Sequence, residues 1–294
     1  MSSLKEVRTR IRSVKSTQQI TKAMKMVAAS KLRRAQDAII QLRPFTEKLG
    51  EILQNVIRST GNGTPSPYAE SRDIKRVLLV PVTSDKGLCG AFNSNVVKRT
   101  LALIEEDYAD VYDRGELYLM PIGIKGCDYF KKRGFTLIED YRLLFTKLTF
   151  DNVKEAADTA MNGFLNHDFD IVIVIYNEFK NVATQILCVE PFLPLHDQGP
   201  EDAATISTDF IFEPSKEEIK KELIPQSLRI QFYKAILESN ASEHGARMTA
   251  MEVATENAEE LLAELQILYN RTRQAAITKE ILDIVGGAEA LASE

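Results

Sequence analysis

The sequence predicts an α/β fold plus a long coiled coil, with antiparallel N- and C-terminal helices and a central α/β domain between them. Apolar residues recur at heptad spacing at both ends of the chain. Between these ends, short apolar runs alternate with amphipathic segments, which is typical of a sheet covered by helices. A chain of 294 residues is long enough to hold both parts.

The N-terminal pattern predicts a helix over residues 1–59. Its seam positions are Leu4, Val7, Ile11 and Val14, then Ile20, Met24, Ala28 and Leu32, then Ala35, Ile39, Leu42, Thr46, Leu49, Leu53 and Val56. The spacings of four from Ile20 to Leu32 predict a local shift of the heptad phase. Pro44 lies inside the pattern and predicts a bend. The Gly- and Pro-rich stretch 61–67 ends the helix.

The central segment, residues 60–212, predicts an alternation of strands and helices. Strands are expected over 77–82, 117–122 and 171–176, with an antiparallel edge strand over 183–189, and helices are expected from Asn93 or Ser94, over 125–133, and from a cap at Asp151. Parallel strands joined by helices cross over with a right hand. The segment therefore predicts a Rossmann-like sheet.

The C-terminal pattern predicts a second long helix within residues 213–294. Its seam consists of Leu237, Ala241, His244, Met248, Met251, Thr255, Ala258, Leu262, Leu265, Tyr269, Thr272 and Ala276. Globular helices usually run 8–20 residues, so a pattern this long needs a partner along its length. Many seam residues are small or polar, which favours close helix contact but buries little apolar area per residue.

The two helices carry opposite charge, which favours their pairing. Residues 1–43 hold eleven basic side chains and two acidic ones, whereas residues 213–264 hold eleven glutamates and six basic side chains. Helix ends near residues 57 and 213 would bring Met24 level with about Ala246, and would leave everything after Leu268 without a partner in the chain. Nucleic-acid binding by the basic helix and homodimerisation through the seams are the competing interpretations.

Several other classes of protein are disfavoured by composition. No apolar run approaches a membrane span. The N-terminus lacks an apolar signal core, and its arginines belong to the heptad pattern, so we expect no cleavable presequence. Three scattered cysteines argue against a disulfide framework and favour a reducing compartment. Three isolated histidines make a metal site improbable.

The glycine-rich loop of residues 84–91 is a candidate phosphate-binding site, because it follows a predicted strand and precedes a predicted helix. It matches neither the Gly-x-Gly-x-x-Gly pattern nor the Walker spacing. No order of residues typical of a hydrolase stands out elsewhere in the chain. We therefore expect a structural platform with no catalytic residues, no cofactor and no metal.

Three blocks of the sequence resemble one family closely. They run from Ile11 to Gln36, from Ser84 to Asn95 and from Ala241 to Leu291. In order and spacing they are similar to the γ subunits of rotary proton-translocating ATP synthases, of the bacterial type without a transit peptide. The resemblance implies a rotor shaft inside a ring of α and β subunits. Its α/β domain would form a foot beside the ε subunit and the c ring, on the cytoplasmic face of the inner membrane.

The resemblance also implies sites of contact on this chain. β-subunit contacts fall on Lys22, Met24, Lys25, Lys86, Cys89, Arg247, Arg273, Gln274 and Thr278. The apolar tip held by the surrounding ring falls on Ile277, Ile281, Leu282, Ile284 and Val285. The c-ring contact of the foot falls on Phe210, Phe212 and Glu213. From the residues alone, Met24 could equally fill the seam, Arg247 be a solvated charge, and Cys89 be a small packing residue.

Overall fold

A computed structural model describes residues 4–60, 66–182, 184–195 and 216–292. The predicted contacts Phe210, Phe212 and Glu213 lie outside the described residues. The helices are α1 (Leu4–Thr60), α2 (Phe92–Asp107), α3 (Ala109–Asp113), α4 (Ile124–Lys131), α5 (Phe150–Leu165) and α6 (Lys216–Ala292). The strands are β1 (Val77–Pro81), β2 (Leu117–Leu119), β3 (Thr136–Leu137), β4 (Ile171–Phe179) and β5 (Gln185–Leu193). The fold class predicted from the sequence is confirmed.

The five strands form one sheet in the order β3-β2-β1-β4-β5. Strands β3, β2, β1 and β4 are parallel, and β5 pairs antiparallel with β4, as predicted for the edge. Strand β3 was not predicted, because two residues are too short to show a period. One face of the sheet packs on α2 and α4, and the other face packs on α5 and on the start of α6.

Two predicted helix starts are corrected. Helix α2 begins at Phe92 without a side-chain cap, because Asn93 is occupied elsewhere: its Oδ1 accepts the backbone N–H of Ser84 at 2.9 Å. Helix α5 is capped by Thr149, whose hydroxyl accepts the N–H of Asn152, and not by Asp151, which lies in the first turn. Thr149 and Asp151 both have side chains that could cap α5, so the sequence alone could not choose between them.

The described chain divides into two compact units. One holds the residues up to Ala28 and those from Met248 onward, and the other holds Ala29–Arg247. In the second unit, Leu32, Ala35 and Ile39 of α1 form a buried cluster with Leu237 and Ala241 of α6. The predicted seam of α6 is confirmed, since each of its positions from Leu237 to Ala276 is buried or half-buried.

Within the first unit, the phase shift predicted for α1 is wrong. Ile20 is 56% exposed, whereas Thr21 is 8% exposed. The buried and half-buried positions continue the heptad through Val14, Gln18, Thr21 and Ala28. The shift was predicted because Gln18 and Thr21 are polar, and a hydrophobic pattern does not register polar residues at a seam.

The pairing register also differs from the prediction. Thr21 meets Thr255, with 2.8 Å between the hydroxyl oxygens, and Lys25 meets Glu252 at 2.5 Å. These partners lie six and seven residues farther along α6 than expected. Met24 is therefore level with about residue 253.

Residues 235–245 of α6 are buried with one half-buried exception, Asn240. Part of this stretch joins the core against the sheet, and another part joins the cluster with α1. Glu238 accepts the backbone N–H of Phe179 at 3.2 Å, at the end of β4. Gly245 also lies against Phe179, since a Cβ at this position would stand 3.3 Å from the ring. Helix α6 is thus a central element of this unit.

Candidate functional site

The loop of residues 84–91, which we call the β1–α2 loop, is held from inside by three polar side chains. The hydroxyl of Ser84 donates to the carbonyl of Lys86 at 2.7 Å. The amide of Asn93 donates to Ser84 Oγ at 2.8 Å and lies 3.3 Å from Cys89 Sγ. Cys89 is 1% exposed, so its thiol is buried within the described chain.

Between these anchors the β1–α2 loop turns outward at Leu88. This residue adopts a φ of +65°, which is uncommon for a residue with a Cβ, and is 66% exposed. The side chain of Lys86 is also exposed. The loop therefore presents one apolar and one cationic side chain to its surroundings, and of these the sequence indicated only Lys86.

Arg247 of α6 closes over the same loop. One of its terminal nitrogens donates to the carbonyls of Lys86 at 2.7 Å and Gly87 at 3.1 Å. The other pairs with the carboxylate of Glu243, one helical turn earlier. Arg247 is 9% exposed and Glu243 is 6% exposed. The structure thus brings together Lys86, Cys89 and Arg247 of the predicted contacts, and Arg247 is a buried group rather than a solvated charge.

The electrostatics of this cluster reflect its burial. Removal from water raises the pKa of Glu243, and the neighbouring Arg247 cation only partly opposes this rise. Burial lowers the pKa of His244 to about 4, and the positive charges of Arg247 and Lys31 act in the same direction. His244 Nδ1 is buried without a hydrogen-bond partner. We conclude that His244 is neutral at pH 7.

The lowered pKa of His244 predicts a loss of stability in acid. The folded pKa of about 4 lies below the ordinary value of 6.5, so between these values the unfolded chain binds the extra proton. The stability contribution is therefore complete above pH 6.5 and falls as the pH drops toward 4, by about 2 kcal/mol at pH 5. Urea unfolding at pH 7 and pH 5 measures this loss.

The matched control for this prediction is His244→Gln, which has no titrating group at the position. The raised pKa of Glu243 acts in the opposite direction, but it is common to both proteins, so their difference isolates His244. We expect the wild-type chain to lose more stability than the variant between pH 7 and pH 5. Equal losses would show that His244 does not titrate as stated.

In the first unit, the predicted contacts differ in their accessibility. Lys22 is exposed, Met24 is half-buried, and Lys25 is committed to its ion pair with Glu252. Beside that pair, the hydroxyls of Thr21 and Thr255 bond across the seam. The sequence pattern placed Thr255 in the α6 seam but missed its partner Thr21, because a threonine at a seam position of α1 resembles a break in the apolar repeat.

The predicted tip is strongly exposed within the described chain. The exposed fractions are 47% for Ile277, 55% for Ile281, 63% for Leu282, 71% for Ile284 and 54% for Val285. Arg273, Gln274 and Thr278 are exposed just before or within this stretch. Large apolar side chains exposed together are typical of an interaction surface.

The described residues offer neither a membrane span nor a metal cluster. No helix in this part of the chain combines the length and apolar character that a bilayer crossing requires. Side chains of His, Cys, Asp and Glu do not gather in threes that could hold a metal ion, again among the residues that the structure describes.

The fold and the site define a coiled-coil protein with an α/β domain. Its features are the seam between α1 and α6, the sheet covered by helices, and the β1–α2 loop bonded to α6. Residues 3–291 match the family model described as ATP synthase. The ATP synthase gamma chain of Cytophaga hutchinsonii is 59% identical over 293 residues, which cover 99% of each chain. That of Chloroherpeton thalassium is 49% identical over 303 residues, with the same coverage. The chain belongs to the ATP synthase gamma-chain family.

Solved structures agree with this family. A chain of the Tetrahymena thermophila mitochondrial ATP synthase central stalk and c-ring is 26% identical, with a TM-score of 0.58. The match covers 80% of our chain and 99% of that one. A chain of the Euglena gracilis mitochondrial ATP synthase in rotational state 3 is 22% identical, covers 98% of our chain and 94% of its own length, and has a TM-score of 0.64. At 22% identity, the match to the Euglena gracilis chain shows a shared fold only.

Proposed function

We propose that this chain is the central rotor shaft of an ATP synthase. It couples proton-driven rotation of the c ring to conformational change at the catalytic sites of the β subunits. The observation that carries the proposal is the 59% identity, over nearly the whole length, to a gamma chain. The Tetrahymena thermophila central-stalk structure that shares the fold supports it. The partners are the α and β subunits, the ε subunit and the c ring.

The exposed tip supports a location inside a ring of other subunits. Side chains from Ile277 to Val285 lie on a helix whose neighbours in the described chain do not cover them. Burying them against an apolar sleeve gains roughly 25 cal/mol per Å². Such a surface, apolar on several sides, allows the helix to turn in the sleeve without breaking specific polar bonds.

The β-subunit contacts follow from the same exposures. Lys22, Lys86 and the half-buried Met24 are accessible, and Leu88 joins them as an apolar neighbour of Lys86. The exposed group Arg273, Gln274 and Thr278 forms a second contact nearer the tip. Lys25 is only partly available, since it pairs with Glu252. The acidic lever of a β subunit is the partner that fits these cations.

The foot and the membrane are linked through other subunits. The α/β domain contacts the ε subunit and the c ring, with Phe210, Phe212 and Glu213 as the c-ring contact. The complex lies on the cytoplasmic face of a bacterial inner membrane. The chain has no catalytic site of its own and binds no cofactor or metal.

Coupling requires only small differences in contact free energy. The shaft is asymmetric, so each β subunit meets a different face of it. A difference of a few kcal/mol between faces is enough to shift a site among its conformations by factors of ten to a thousand. The exposed cations Lys22 of α1 and Lys86 of the β1–α2 loop supply such a difference.

Reconstitution tests the proposal directly. The chain is added to α and β subunits, and we expect a soluble ATPase that is absent without it. A chain that forms a homodimer and does not bind these subunits would favour a coiled-coil adapter. DNA binding with a salt slope of several units would favour the nucleic-acid alternative suggested by the basic helix.

The substitution Met24→Lys tests the β contact. It adds a cation beside Lys22 and Lys25, where a β lever is expected to pass, so the attraction to that lever no longer changes correctly with rotation. We expect fewer protons pumped per ATP while ATP hydrolysis continues. Met24→Leu is the matched control, because it keeps the size and adds no charge. Unchanged pumping per ATP in Met24→Lys would contradict the assignment of Met24.

A further inference from the structure

The guanidinium of Arg247 makes its hydrogen bonds to groups within this chain. It bonds to two consecutive carbonyls of the β1–α2 loop, those of Lys86 and Gly87, and to the carboxylate of Glu243. A planar guanidinium can serve a carboxylate on one edge and two carbonyls on another, whereas an ammonium is a single point. With 9% exposure, little of the residue remains for a contact outside the chain.

We propose that Arg247 is a positioning residue that clamps the β1–α2 loop against α6 and so fixes Lys86 and Leu88 in their outward positions. The inner anchor of the loop consists of Ser84, Asn93 and Cys89, and Arg247 of α6 is a second anchor. Between the two anchors, Leu88 keeps a left-handed backbone and points outward. Two anchors are needed, because the inner one does not restrain the carbonyl of Gly87.

The clamp has a consequence that rests on the proposed function. The surface offered to a β subunit here is the ammonium of Lys86 beside the side chain of Leu88. An acidic segment with an apolar residue next to its carboxylates fits this pair. Arg247 influences that contact through the loop and does not make it.

Thiol reactivity of the full-length chain measures the clamp. Cys89 lies within the loop and is 1% exposed, whereas Cys127 lies in the domain core and is fully buried. N-ethylmaleimide labelling is followed for each cysteine separately by peptide mass spectrometry. Opening of the loop accelerates only Cys89, but global unfolding accelerates both thiols.

The main variant is Glu243→Leu with Arg247→Met, which removes the clamp without leaving a buried carboxylate unpaired. We expect Cys89 to react about tenfold faster or more, and Cys127 to change by less than about twofold. Arg247→Lys should give an intermediate rate for Cys89, because the ammonium serves fewer acceptors. An unchanged Cys89 rate, or equal acceleration of both thiols, would overturn the proposal.

Lys86→Ala separates the clamp from the proposed function. The variant keeps the backbone carbonyl that Arg247 binds, so we expect wild-type labelling of Cys89. In the reconstituted enzyme the same variant should lower coupling, because it removes the exposed ammonium. If coupling is unaffected while the double variant releases Cys89, the β contact at Lys86 is wrong and the clamp stands. A faster reaction of Cys89 in Lys86→Ala would count against the clamp.

Discussion

Arg247→Met is expected to lower the free energy of unfolding by about 3–5 kcal/mol. The methionine fills a similar volume, but the buried carboxylate of Glu243 loses its cation and two loop carbonyls lose their donor. Removing one member of a buried ion pair is far more costly than removing both, because an uncompensated charge remains. Urea unfolding of the wild-type chain and the variant at pH 7 measures this difference in the free energy of unfolding.

The matched control is the double variant Glu243→Leu with Arg247→Met, which should lie within about 2 kcal/mol of wild type. The single variant should also recover part of its loss in acid. Burial already raises the pKa of Glu243, and loss of Arg247 raises it further. The folded pKa then lies above the unfolded one, so stability is regained as the pH falls. Equal destabilisation of the single and double variants would refute the argument.

Gly123→Ala is expected to destabilise the α/β domain by about 4 kcal/mol or more. Gly123 follows β2 with a φ of +94°, and a Cβ there would stand 2.2 Å from the carbonyl oxygen of Thr83. The obstacle is backbone at the end of β1, which cannot move aside as a flexible side chain could. The expected result is a chain that is largely unfolded or insoluble at 37 °C.

Two other glycines provide controls of graded severity. Gly115 has a φ of +76° with no atom within 4 Å of an added Cβ, so Gly115→Ala should cost only about 1–2 kcal/mol of backbone strain. Gly50 lies in α1 with open space around it, and Gly50→Ala should stabilise the chain by about 0.5–1 kcal/mol. A different order of thermal midpoints would show that steric contact does not decide the outcome at Gly123.

The long helices and the sheet could be predicted from the sequence because their signals are periodic. The α6 seam from Leu237 to Ala276 repeats often enough for each position to support the next. The prediction of the α1 seam was wrong where the seam residues are polar, at Gln18 and Thr21. Thr21 is buried by its bond to Thr255, and only knowledge of the partner reveals that bond.

The site was harder to predict than the fold, for a different physical reason. Lys86, Cys89 and Arg247 were singled out by resemblance, but their mutual contact was not foreseen. Arg247 binds backbone carbonyls, which every residue possesses, so no residue type marks the acceptor. The outward position of Leu88 depends on a left-handed backbone that its residue type does not favour.

The burial of α6 among the other elements has a consequence for synthesis of the chain on the ribosome. One face of the sheet is covered in part by Ile224, Leu228 and Phe232, which follow the last strand by about thirty residues or more. A nascent chain that has completed β5 already has α5 on that face but still exposes to water the part that α6 will cover. The sheet therefore reaches its final packing only after the start of α6, up to Ile236, has left the exit tunnel, and until then the uncovered part is a target for chaperones.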